Sequence, residues 1–226
     1  RDCLSMGIGG RGDSAGYHWP EGQSNKEIPS SWEFENNASI ANRHWGISGW
    51  QNGPAKHHVA SLGRFLSVNC LNGGIMHGAY ANAYQFRDIT IHNPPGAIGF
   101  QVWANARIQD PGPGRTDGYG LAFERIIVRG GANGIELAHH ILTSSIHTLY
   151  KDCDIQGTSG KKVIWAEARG GGTQRSDSDI VNCGILPADI DFFAPGPDSL
   201  VFIQQGTQAW RVSPTGAVTP IAPFYS

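Results

Sequence analysis

The chain has 226 residues, a formal net charge of −2 and a pI near 6.5, so it has the length of one large domain and lacks the basic stripe of a nucleic-acid-binding protein. Gly (31) and Pro (13) are abundant and only 16% of residues are charged, which excludes a fold of long amphipathic helices, while 39% hydrophobic residues exclude a disordered chain. The class expected is all-β with many turns. No apolar run reaches the roughly 18 residues of a membrane-spanning helix, and no signal-peptide pattern or initiator Met opens the chain. A start at Arg1 reads as a processed or trimmed piece of something longer.

Residues 1–60 carry GIGGRGDSAGYHWPEGQ and then Trp32, Trp45 and Trp50 in Asn- and Ser-rich sequence. This region is expected to be irregular and to hold a first coil, with WGISG at 45–49 as one strand. RGDS at 11–14 matches a cell-adhesion tetrapeptide. A chain of this composition contains about 0.1 copies of RGD by chance, so the match reads as Gly-rich loop.

Between residues 61 and 198 one template recurs: apolar, two variable, apolar, one variable, apolar. It fits FLSVNC at 65–70, FRDITI at 86–91, FERIIV at 123–128, YKDCDI at 150–155 and IVNCGI at 180–185. A second short strand follows each: GIM at 74–76, GFQV at 99–102, GIEL at 134–137 and VIW at 163–165, with LVFI at 200–203 as a candidate fifth. Units of this period cannot bury an apolar face alone and stack on their neighbours. The fold expected is a right-handed parallel β-helix, a solenoid with strands about 4.8 Å apart, in preference to a β-sandwich, which would not repeat one template in register. Cys153 and Cys183 share one inward template position, and Cys70 takes the last position of its unit. They read as core residues rather than metal ligands or nucleophiles. Parallel side chains in one column suit a disulfide poorly. Residues 199–226 read as a short β-meander with a turn at SPTG, capping an open sheet edge.

A solenoid's interior is filled by side chains, so chemistry is expected on outer faces and in insertions. Three insertions follow the second strand of successive units: WANARIQDPGPGRTDGYG at 103–120, AHHILTSSIHT at 138–148 and AEARGGGTQRSD at 166–177. They should stack on one side and form an elongated patch suited to a sugar chain. Glu136 alternates with inward Ile135 and Leu137, so it should face out beside Gln101. Glycoside hydrolysis needs two carboxylates about 5–5.5 or 6.5–9.5 Å apart, for which Glu136 with Asp117 or with Glu167 are the pairs, and Asp110 is a further acid. Elimination from a uronate needs a base and a cation, for which His139 or His140 with Arg115 or Arg169 would serve. Substrate contacts are assigned to Arg115, Tyr119, His140, Arg169, Gln101 and Trp103. Adjacent His139 and His140 on a strand point to opposite faces, so no metal site or other cofactor is expected.

The template, the Asn/Gly turns and the β-rich tail resemble the pectin-lyase-like parallel β-helix superfamily over about residues 62–205, and most of all the coil domain of phage tailspikes that degrade host polysaccharide. That resemblance implies an extracellular or virion-surface depolymerase and a homotrimer or component of a larger assembly; the lack of a long apolar run is what predicts no membrane span. RTDGYG at 115–120 is similar to the Asn-Thr-Asp-Gly of polygalacturonases, with Asp117 at the catalytic position. The later Asp-Asp pair is replaced by Asn133 and Gly134, and the Gly-His-Gly and Arg-Ile-Lys elements are absent, as is the Asp-Pro-His of mannuronan epimerases. The alternative is a non-catalytic spike or adhesin that binds glycans or holds an assembly together.

Overall fold

A computed structural model describes residues 2–9, 15–18, 34–50, 60–79, 84–104, 119–138, 140–141, 146–165, 168–169, 176–192 and 198–225. The described strands are, in chain order, β1 (Leu4–Met6), β2 (Ala15–His18), β3 (Phe34–Ile40), β4 (Trp45–Trp50), β5 (Ala60–Val68), β6 (Gly73–Ala79) and β7 (Tyr84–His92). Then come β8 (Ile98–Ala104), β9 (Leu121–Arg129), β10 (Asn133–Ala138), β11 (His140–Ile141), β12 (Ile146–Lys151), β13 (Asp154–Gln156) and β14 (Val163–Trp165). The last are β15 (Ala168–Arg169), β16 (Ser176–Val181), β17 (Ile190–Phe192), β18 (Val201–Gln205), β19 (Gln208–Val212) and β20 (Val218–Ile221). The fold is all-β, and through most of the chain successive strands alternate between two parallel sheets. The first runs β1-β3-β5-β7-β9-β12-β16-β18-β19-β20, with β13 also on β9; the second runs β17-β14-β10-β8-β6-β4-β2; β11 and β15 form a small third. Among the described residues, only the β18–β19–β20 pairings are antiparallel.

The recurring spacing has a backbone cause. Residues three apart on a regular strand face opposite sides. Here both face inward because the residue before the second one is left-handed: Asn36, Arg64, Asp88, Arg125, Asp152 and Asn182 all have φ between 47° and 57°. One such residue bends the strand and resets its alternation, and the ladder skips it: Arg87 pairs with Glu124, and Ile89 with Ile126. Asn and Asp tolerate this conformation best, whereas an Arg there costs about 1–2 kcal/mol. Arg125 offsets part of that by gripping Asp88 with Nε at 2.5 Å and Nη2 at 2.9 Å.

Register then stacks like on like. Phe34, Leu62, Phe86, Phe123, Tyr150, Ile180, Ile203 and Trp210 form one column. At its centre the Phe86–Phe123 and Phe123–Tyr150 rings stack at 5.3 and 5.2 Å. Facing them, Ile47, Ile75, Phe100, Ile135 and Val163 belong to the same buried core.

The glycine near the start of β4, β6, β8 and β10 is a matter of space. A Cβ on Gly46 would lie 2.6 Å from the Gly74 carbonyl oxygen and from Ser67 Oγ, and one on Gly74 would lie 2.8 Å from the Gly99 carbonyl oxygen and press on Ile91. Gly99 and Gly134 continue the column against Val128 and Ile155. The two sheets meet along this line without room for a side chain.

Three sequence expectations change. The unit assigned to FLSVNC starts three residues earlier, because Leu62, not Phe65, pairs with Phe86. Leu62, Phe65 and Ser67 are its inward residues, and the template missed that frame because its last position is a serine. Cys70 therefore lies beyond the strand, at a corner, fully buried against Ser39 and Asn42. LVFI is not the fifth strand of the second sheet: β18 pairs with β16 in the first sheet, and β17 holds that place beside β14. The paired strands also begin well before residue 61, with β1–β4 in register with their successors.

Candidate functional site

Cys153 in LYKDCDIQG is a packing residue. Its amide donates to Cys183 Sγ at 3.3 Å and its own thiol to the Phe123 carbonyl at 3.4 Å. Hydrogen bonding with Cys183, and then burial, hold the Cys153 thiol well above its usual range, so it is not a thiolate nucleophile. Cys70, Cys153 and Cys183 are buried, whereas Cys3 is exposed.

On the outer face of the second sheet, Glu136 pairs in register with Gln101. Gln101 Nε2 donates to Glu136 Oε2 at 3.3 Å and Asn133 Nδ2 donates to Oε1 at 2.8 Å. Glu136 is only 9% exposed although it points away from the core, and Met76 in the same column is 4% exposed. Both carboxylate oxygens are thus held by amides. Of the other assigned residues, Trp103 lies in β8, between Gly78 and Ala138 of the neighbouring strands. His140 and Arg169 lie in the β11–β15 pair, where His140 faces Ala168 and Ile141 faces Arg169, which joins the start of two of the three insertions. Asp110, Arg115, Asp117, His139 and Glu167 lie outside the described residues, as does RGDS, so neither carboxylate pair has a separation here.

A second cluster sits on the outer face of the first sheet, where the chain returns from the insertions. Tyr119, assigned to an open sugar contact, is buried at 7% exposure, and its hydroxyl donates to Asp179 Oδ2 at 2.6 Å. His147 Nε2 lies 3.2 Å from Asp179 Oδ1, and its ring is 4.7 Å from that of Tyr119. The Asp179 side chain is 9% exposed and that of His147 31%. A buried carboxylate 3.2 Å from an imidazole that reaches solvent is an arrangement capable of accepting a proton from a bound hydroxyl. Asp179 escaped the sequence reading. Its signal is a column: Gln85, Ala122, Leu149, Asp179 and Phe202 are in register, and the carboxylate interrupts two apolar neighbours.

Charges elsewhere are spent on the fold. Hydrogen bonding from Arg125 holds the Asp88 carboxyl below its usual range, and Arg129 does the same for Asp154. Among the described residues no group of three or more His, Cys, Asp or Glu side chains could hold a metal ion. No protein family, curated protein or solved structure matches the chain.

Proposed function

We propose that the chain is the coil of a right-handed parallel β-helix that binds and cleaves an extended polysaccharide at a cell or virion surface, as a tailspike depolymerase does, in a homotrimer. The observation that supports this most is the register. Strands that alternate between two parallel sheets and connect by right-handed crossovers would wind into a solenoid. Each outer-face residue then recurs every ~4.8 Å along the axis, which suits a polymer that also repeats. Glu136 with Gln101 and the Tyr119–His147–Asp179 cluster lie on two such faces, and both adjoin the polar insertions. A second reading, a non-catalytic spike or adhesin, draws support from the burial of Glu136 under two amides.

The test is incubation with a panel of bacterial capsular polysaccharides, scoring new reducing ends and new ultraviolet-absorbing double bonds, with mass in solution from light scattering. Chain shortening by a trimer, lost in Glu136→Gln or His147→Gln, is the expected result. Glycan retention without shortening selects the spike reading, and a monomer that neither binds nor cleaves removes both.

A further inference from the structure

The outer face of the first sheet already carries a peptide. After β20 the chain turns back through Ala222 and Pro223, and Phe224 and Tyr225 lie across β18. Gln204, buried in that strand, accepts both of their backbone N–H groups on Oε1 at 2.8 Å each. Its Nε2 donates to the Tyr225 carbonyl at 2.9 Å and to the Gly206 carbonyl at 3.2 Å. The Phe224 ring packs on Phe202 at 5.8 Å, and the Lys151 ammonium lies 4.9 Å above the Tyr225 ring. Tyr225 also packs against the cluster formed by Tyr119, Ala122, Leu149 and Val181.

One carboxamide that meets three main-chain groups reads the backbone of the segment, and the two ring seats select its side chains. We propose that this face is a recognition groove for a Pro-aromatic-aromatic segment, and that it takes that segment from a second copy of the chain as well as from its own. Both occupancies make the same contacts. They differ only in the effective concentration that the short connection from β20 gives the chain's own segment, in the millimolar range for such tethers. Exchange of an identical element between copies is a low-cost route to assembly. The inference does not depend on the polysaccharide reading, because its ligand is a peptide of this chain.

The test uses a fluorescent peptide of residues 221–226 (IAPFYS) and anisotropy titration against three proteins: the full chain, the full chain carrying Phe224→Ala and Tyr225→Ala, and a chain ending at Ile221. Saturable binding to the two opened chains is expected, at least about tenfold weaker to the unaltered chain, whose own segment competes. Adding Gln204→Ala to an opened chain should weaken binding by at least about tenfold. No saturable binding up to about 1 mM by an opened chain whose circular dichroism matches the unaltered one overturns the proposal. So does equal binding to opened and unaltered chains. The doubly substituted chain keeps the test decisive if the shortened one does not fold.

Discussion

At the three inward positions of the first sheet the N-terminal strands carry Phe34, Asn37, Ser39 and then Leu62, Phe65, Ser67, whereas the middle strands carry Phe86, Ile89, Ile91 and then Phe123, Ile126, Val128. The backbone is the same in both regions, with its left-handed bend and its glycine line. The filling is not. In β7 and β9 stacked rings and aliphatic chains put no polar side chain at these positions. At the N-terminal end, buried asparagines serve the main chain of neighbouring strands: Asn37 Oδ1 accepts from Cys3 N at 3.1 Å and Asn42 Oδ1 from Ile8 N at 2.7 Å. Asn42 Nδ2 reaches Ser39 Oγ at 2.5 Å, and Ser39 Oγ lies 3.7 Å from Cys70 Sγ. Bend and close approach thus define the fold, and two different interiors fit inside it: the buried asparagines are partnered, whereas Ser67 Oγ and the Tyr150 hydroxyl have no hydrogen-bond partner among the described residues.

That contrast can be broken most severely at the ring stack. Phe123→Ala removes the ring between Phe86 and Tyr150, and should cost about 4 kcal/mol in urea unfolding. The shared backbone is the next target: a Cβ on Gly99 would meet the Gly134 carbonyl oxygen and, at 3.0 Å, both Val128 methyl groups. Gly99→Ala should therefore lower stability by about 3 kcal/mol, read from the same denaturation midpoint, and a loss below about 1 kcal/mol would show that the two sheets can separate there. Making the polar interior resemble the apolar one should also fail. Asn42→Leu strands the Ile8 amide and takes one partner from the Ser39 hydroxyl and should cost about 2 kcal/mol, whereas a stabilised variant would mean that the polar filling is incidental.

The smallest effect belongs to the exposed bend column. The Asp88 carboxyl is depressed by Arg125, so its contribution is present above its unfolded-state value and fades as pH falls through the folded-state value, below about pH 4. Both side chains are about half exposed, at 40% for Asp88 and 49% for Arg125, so solvent screening holds the contribution under about 1 kcal/mol. Asp88→Asn should flatten that part of the acid-unfolding curve, and added salt should do the same to the unaltered protein.

The site was legible in part. Strict alternation around Glu136 put it on the outer face, and matching the GIEL and GFQV segments put Gln101 beside it, as the structure has them. The burial of Tyr119 was not legible, because its partner Asp179 lies 60 residues away and only strand register brings them together. Pairing offset is a property of two strands and their bends, so LGRFLS and FLSVNC could not be told apart by local pattern while Ser67 occupied the position that identifies the frame.

The sequence by itself determined the all-β class, the recurring strand, the inward place of Cys153 and Cys183, and the antiparallel closing strands, because each follows from alternation, apolar spacing or turn chemistry within a few residues. The tertiary structure decided which strand follows which, why two inward residues stand three apart, why a glycine stands near the start of β4, β6, β8 and β10, and which polar residues the interior accepts. Those depend on one residue's left-handed φ and on contacts across two sheets, and neither is written in the residues that it governs.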